Sequence, residues 1–216
     1  MTHRRLTSAQ RGIWFAQQLD PTSPAFVTAD VIEVEAEAGT AAARLAASVA
    51  AALADAEGLH ARFGEGDDGE PWQELCPPSV SVPVVDVVDA AAAEVWMAAD
   101  LTHPIDLTTG ALSRQALLRH ADGHLWWYQA IHHLATDAYA TSLILRRAAE
   151  HHAGETTSPF GTLADLADLA DLDDLDAAYA TSETHDHDRT FWSAELAGLT
   201  TAPTIAAAAP PLAAIP

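Results

Sequence analysis

Residues 124–152 read HLWWYQAIHHLATDAYATSLILRRAAEHH, and this stretch decides the fold. Its first part, His124–Ile131, is a strand. It forms a hairpin with Ala111–Arg119 through the turn signal Ala121-Asp122-Gly123. Its last part, Ala138–His152, is a helix with apolar bulk at Leu143, Leu145 and Ala149, and Gly154 ends it. Between the two lie His132, His133 and Asp137. Two adjacent histidines and an acid therefore occupy a strand-to-helix junction.

Working outward, Phe26–Glu35 alternates apolar and polar residues from Val31 onward, as a half-buried strand does. Gly39-Thr40 introduces AAARLAASVAAALADAEG, where Leu45, Val49 and Leu53 recur at four-residue steps. That spacing predicts an amphipathic helix with Gly58 as its C-cap. Leu59–Phe63 reads as a short strand, GEGDDGEP as a turn-rich loop, and Trp72–Leu75 follows it. Val80–Val88 is β-branched but broken by Pro83, which suits an edge strand or an extended loop. Ala90–Leu101 reads as a second helix. Strands interspersed with helices predict an α/β sandwich.

The last third differs in character. Residues 163–176 repeat a three-residue unit, LADLADLADLDDLD, and 163–188 hold nine acids and no basic residue. A period of three turns a helix by roughly 300° per step, so the leucines make no single face. An exposed acidic helix or low-complexity spacer is expected there. RTFWSAELAGL, residues 189–199, returns to an amphipathic helix, and the Pro- and Ala-rich residues 200–216 read as a linker or tail.

Composition narrows the function. Acidic residues outnumber basic ones 31 to 10, for a formal charge of −21, and all ten basic residues are Arg. Such a surface repels nucleic acid and anionic membrane, so neither is an expected partner. The one cysteine, Cys76 in ELCPP, has no His near it in sequence and reads as a buried or incidental thiol, compatible with a reducing cytoplasm. No apolar segment follows Arg4-Arg5 as a signal peptide requires, and the Ala-rich run is too short to span a bilayer. A cytoplasmic location is expected.

In an extended strand end, neighbouring side chains point to opposite faces. One of the two imidazoles can then line a cavity while the other faces the core. Histidine is the side chain whose ordinary pKa, about 6.5, suits proton transfer near neutrality. Asp137, beside the start of the following helix, is stabilised there as an anion and can orient the loop by pairing with an Arg. In a chain with eleven histidines, this pattern gains meaning only from its company.

That company is specific. IHHLATDA resembles the HHxxxDG signature of condensation domains of nonribosomal peptide synthetases, within the chloramphenicol acetyltransferase-like superfamily. LTSAQRGIWFAQQLDP resembles the opening motif of the family, with Ala9, Gln10, Arg11 and Trp14 in place. GLHARF, ending in Arg62 and Phe63, resembles the second motif. HPIDLTTGALSRQALLRHADGHLWWYQAIHH is similar to the run that leads into the histidines. DRTFWSAELAGL is similar to the helix closing the N-terminal half, with Trp192 as its marker. The resemblance spans residues 6 to about 199, and a complete condensation domain is roughly twice as long.

The resemblance implies a chloramphenicol acetyltransferase-like α/β sandwich forming the N-terminal lobe, residues 1–199, of a two-lobe fold. The C-terminal lobe would lie in another segment or chain. It also implies amide-bond formation between a thioester donor and an amine acceptor, both carried on phosphopantetheine arms of carrier proteins, with no cofactor bound directly. His133 would be the catalytic histidine, either taking the amine proton or positioning the nucleophile. His132 would be structural, and Asp137 would brace the loop through an Arg, Arg62 first and Arg11 second. One departure stands out, since the Gly of the signature is Ala138 here. With negative φ at 138, Ala helps start the helix; with positive φ, the loop must shift. Two other readings are a non-catalytic remnant or carrier-binding module, and a metal-dependent hydrolase that adds His185-Asp186-His187. Adjacent histidines rarely bind one ion together, so no metal is expected.

Overall fold

The computed structural model describes residues 3–34, 42–155, 157, 160 and 177–199. The acidic repeat 163–176, Gly39-Thr40 and the tail 200–216 lie outside them. The chain divides into two units, 1–171 and 172–216.

The first unit is built on a four-stranded sheet. Its strands are β2 (Val27–Val34), β5 (Val84–Val87), β6 (Ser113–His120) and β7 (Leu125–His132), in the order β2-β7-β6-β5. The β6–β7 hairpin pairs antiparallel with Leu117 opposite Trp127, and β2 pairs antiparallel to β7 with Ile32 opposite Trp127. β5 starts after Pro83 and runs parallel to β6 at the far edge, where a strand tolerates proline beside it.

Strand β7 sits second in the sheet and is buried on both faces. On one face Leu125, Trp127 and Ile131 meet Leu45, Val49 and Leu53 of α2 (Ala42–Asp55) and Ile144 of α4 (Ala138–Ala153). On the other, Tyr128 and Ala130 meet Ala93, Trp96 and Met97 of α3 (Ala90–Leu101). The strand alternation thus decides which helix each residue meets, and the α/β sandwich expected from the sequence is what forms. Tyr128 also donates to Asp100 at 2.7 Å, and Asp100 pairs with Arg114 at 3.0 Å. Burial and the Asp100 carboxylate push the Tyr128 phenol well above its ordinary pKa, so it stays a donor.

A second sheet, in the order β1-β4-β3, joins β1 (Arg4–Arg5), β3 (Ala61–Glu65) and β4 (Pro71–Leu75). Against it lies α1 (Ser8–Leu19), whose Trp14 packs with Leu6, Phe63, Leu112 and Leu134. The sequence reading placed no helix here. The signal was nonetheless present, because Thr7 and Gln10 form a capping box: the Gln10 N–H donates to Thr7 Oγ1 at 3.3 Å, and Gln10 Oε1 accepts from the Thr7 N–H at 3.1 Å.

Several boundaries differ from expectation. Helix α2 ends at Asp55, and Gly58 lies in a single 3-10 turn, Glu57–His60, rather than in a left-handed cap. The strand expected from Leu59 starts at Ala61 for the same reason. Gly154 does take φ 74°, and its N–H donates to the carbonyl oxygen of His151 at 3.1 Å, as a glycine C-cap does. In the second unit, α5 (Glu183–Leu196) starts six residues before the predicted helix because Ser182 caps it, accepting from the His185 N–H at 3.1 Å.

Candidate active site

Strand β7 ends on His132, and the sheet fixes its backbone. The His132 N–H donates to the Leu112 carbonyl at 2.9 Å, and the His133 N–H donates to that of Phe26 at 2.8 Å. The His132 ring is 1% exposed. Its Nδ1 accepts from the Leu134 N–H at 3.2 Å, so the ring proton sits on Nε2, 3.1 Å from Gln17 Oε1. The Gln17 amide has no freedom to turn round, because its Nε2 donates to the carbonyls of Asp20 at 2.8 Å and Ser23 at 3.1 Å. His132 is therefore a neutral, doubly bonded ring. Burial, and secondarily His133, push its pKa down to about 4.

His133 is the opposite case. It is exposed, on the turn in which the Ala135 N–H donates to the carbonyl of His132. Its Nδ1 lies 2.8 Å from the carbonyl oxygen of Thr136, which can only accept. In the neutral ring Nδ1 then carries the proton and Nε2 carries the lone pair. The loop thus presents an imidazole with its basic nitrogen directed by a backbone carbonyl three residues on.

Asp137 is the N-cap of α4, with Oδ1 accepting from the Ala140 N–H at 2.8 Å. The carboxylate is spent on the helix start, and among the described residues it makes no ion pair with an Arg. Arg62 instead pairs with Glu74 at 2.7 Å and lies over the Trp72 ring at 5.9 Å. Arg11 pairs with Glu70 at 3.0 Å. The expected Asp137–Arg brace is thus replaced by a cap: the carboxylate takes the Ala140 N–H, while the two arginines are paired with Glu74 and Glu70. Ala138 is the first residue of α4, and among the described residues none other than glycine has positive φ. Alanine fits that helical start without displacing the loop.

One site residue, Gln17, escaped the sequence reading, and Gln10 entered it only as a member of the opening motif. Gln17 holds His132, and Gln10 Nε2 donates to the Leu134 carbonyl at 3.1 Å. Both lie on α1, seven residues apart, two helical turns on one face. The capping box would have located the helix; nothing in the sequence joins it to a loop more than a hundred residues away. Trp192 lies on α5, edge-on to Phe191 at 5.3 Å, and is exposed. Among the described residues no three His, Cys, Asp or Glu side chains gather as a metal would require.

The family model for the condensation domain matches residues 1–213. The dimodular nonribosomal peptide synthase of Bacillus subtilis (strain 168) is 39% identical over 198 residues, covering 87% of this chain and 8% of that protein. Enterobactin synthase component F of Escherichia coli (strain K12) is 31% identical over 205 residues, covering 88% of this chain and 15% of that protein. Among solved structures, the first condensation domain of the CDA synthetase superposes with TM-score 0.77 at 25% identity, over 92% of this chain and 51% of that one. The starter condensation domain of rhizomide synthetase RzmA does so with TM-score 0.70 at 33% identity, over 90% and 48%. The chain thus spans about half the length of these solved domains.

Proposed function

The chain belongs to the condensation-domain family, and from that membership we propose that it forms amide bonds by acyl transfer in nonribosomal peptide biosynthesis, as the N-terminal lobe of a condensation domain. The observation that carries this reading is the His133 ring, whose Nδ1 is committed to Thr136 and whose Nε2 is left as a base. A donor acyl group arrives as a thioester on the phosphopantetheine arm of one carrier protein, and an amine arrives on another. The amine nitrogen attacks the thioester carbonyl carbon, and His133 Nε2 takes the proton that the nitrogen sheds. The tetrahedral centre collapses, the C–S bond breaks, and the imidazolium returns the proton to the departing thiolate. His132 is scaffold. Asp137 serves the loop by starting α4, and Arg62 and Arg11 support it from a distance, through the sheet β1-β4-β3 and α1.

Several observations support this reading. An arginine-to-alanine mutant of the starter condensation domain of rhizomide synthetase RzmA was solved in complex with C8-CoA, and an acyl thioester is the donor proposed here. The alternative of a non-catalytic remnant drew on Ala138 and on the half-length of the chain; the negative φ at 138 removes the first of these supports. The proposed partners are carrier proteins and a C-terminal condensation lobe. The proposed compartment is the cytoplasm; among the described residues no helix is long and apolar enough to cross a membrane.

The test uses one carrier loaded with an acyl group, a second loaded with an amino acid, and the C-terminal lobe supplied as a separate chain. Wild type yields the amide and His133→Ala does not. Equal product from the two proteins would refute the catalytic reading.

A further inference from the structure

We propose that Gln17 is a positioning residue for His133: by deciding which ring nitrogen of His132 carries the proton, it fixes the backbone of the loop that presents the base. The proposal rests on the acyl-transfer reading only in calling His133 the base. The arrangement itself can be tested without activity.

Every hydrogen bond in the chain of contacts has one possible direction. The carbonyls of Asp20 and Ser23 can only accept, so they take both hydrogens of the Gln17 amide nitrogen. Gln17 Oε1 is then turned toward His132 and can only accept, so His132 Nε2 must donate. With the proton on Nε2, Nδ1 holds a lone pair and receives the Leu134 N–H. The carbonyl of the same residue is held by Gln10. Leu134 is thus gripped by its N–H through Gln17 and His132, and by its C=O through Gln10. It is the residue directly after His133.

The opposite tautomer would undo this. A proton on His132 Nδ1 would face the Leu134 N–H, two donors with no acceptor between them, and Nε2 would face the Gln17 oxygen with two lone pairs opposed. Both clashes would be buried, where unmade hydrogen bonds cost most. Gln17 is 5% exposed, so water does not take its place. The ring is surrounded by Gln17 from α1, the Phe26 ring at 6.3 Å, and Val27, its register partner on β2. Among the described residues, His133 is the titratable group that acts on it. A glutamine supplies what the position needs: an acceptor that stays uncharged, anchored by donors at its other end.

The experiment is imidazole ¹⁵N–¹H correlation spectroscopy on the uniformly labelled 216-residue chain, with Gln17→Leu and Gln17→Glu as variants. In wild type, His132 is expected as the neutral Nε2–H form from pH 8 down to pH 5, and His133 as the Nδ1–H form when neutral. In Gln17→Leu, which keeps the bulk and removes the acceptor, the His133 signal is expected to move from one tautomer to a mixture as the loop loosens. In Gln17→Glu, the carboxylate is expected to raise the pH at which His132 takes a second proton by a unit or more. A wild-type spectrum with His132 protonated at Nδ1 overturns the proposal, whether or not the variants fold. So does a Gln17→Leu spectrum whose His133 tautomer matches wild type. Neither outcome bears on whether His133 catalyses acyl transfer, which the His133→Ala assay decides separately.

Discussion

His133 donates from Nδ1 to the carbonyl oxygen of Thr136 at 2.8 Å, while its neighbour His132 accepts at Nδ1 from the Leu134 N–H at 3.2 Å. Two identical side chains, adjacent in sequence, thus carry their ring protons on opposite nitrogens. One is exposed and the other is 1% exposed. Truncating them should therefore cost very different amounts. His133→Ala removes an exposed ring and should change unfolding free energy by less than about 0.5 kcal/mol. His132→Ala leaves the Leu134 N–H and Gln17 Oε1 unmatched beside a new cavity, and should cost roughly 2–4 kcal/mol. Urea denaturation of the two variants checks this; equal midpoints would contradict the assignment of base and scaffold.

The same burial makes stability depend on pH. The His132 pKa is pushed down to about 4 in the folded protein, against about 6.5 for an unfolded histidine. Above pH 6.5 the ring is neutral in both states and contributes nothing to the slope. As pH falls below that value, the unfolded chain binds a proton that the folded one refuses, so stability drops until the folded ring also protonates near pH 4. Between pH 7 and pH 5 the expected loss is about 2 kcal/mol. His132→Gln does not titrate there, so its stability should fall by correspondingly less on acidification. A wild-type slope no steeper than that of the variant would show that this ring titrates normally.

Much of this was legible in the residues. The aromatic run of β7, the turn at Gly123 and the glycine after α4 suffice to place a strand–loop–helix junction at the histidines, because local periodicity and turn chemistry carry that information. What stayed hidden depends on contacts distant in sequence. Gln17 meets His132 only because α1 folds across the end of β7, and no periodicity records that. Asp137 was expected to seek an Arg, yet at a helix start its carboxylate takes the Ala140 N–H instead. Gly58 looked like a cap by position, but the chain enters a 3-10 turn there and leaves the left-handed region to Gly154.

The two arginines expected near the motif are about equally exposed, 38% for Arg62 and 40% for Arg11, and should separate by the burial of their partners, Glu74 at 9% and Glu70 at 43%. Arg62→Ala strands a buried carboxylate and should cost roughly 1–3 kcal/mol. Arg11→Ala opens a solvated pair and should cost under about 1 kcal/mol. Thermal melts of both variants at equal ionic strength give the comparison, and a larger loss from Arg11→Ala would reverse the ranking.

Asp137 and Ala138 together test whether the motif's acid works as a cap or as an ion. A cap needs an oxygen acceptor at Asp137 and no charge, so Asp137→Asn should fold with nearly wild-type stability, while Asp137→Ala should lose about 1 kcal/mol. An ion-pairing role predicts instead that Asn fails as badly as Ala. The neighbouring position refines the reading. Because Ala138 begins α4 with ordinary negative φ, replacing it with the Gly of the family signature should bring no relief of strain. Gly spends more backbone entropy in a helix, so Ala138→Gly should be destabilised by up to about 1 kcal/mol. Denaturant midpoints of the three variants, read alongside helix content by circular dichroism, decide it. If Ala138→Gly proved more stable than wild type, the backbone at 138 would have to be strained, and the loop that presents His133 would have to be redrawn.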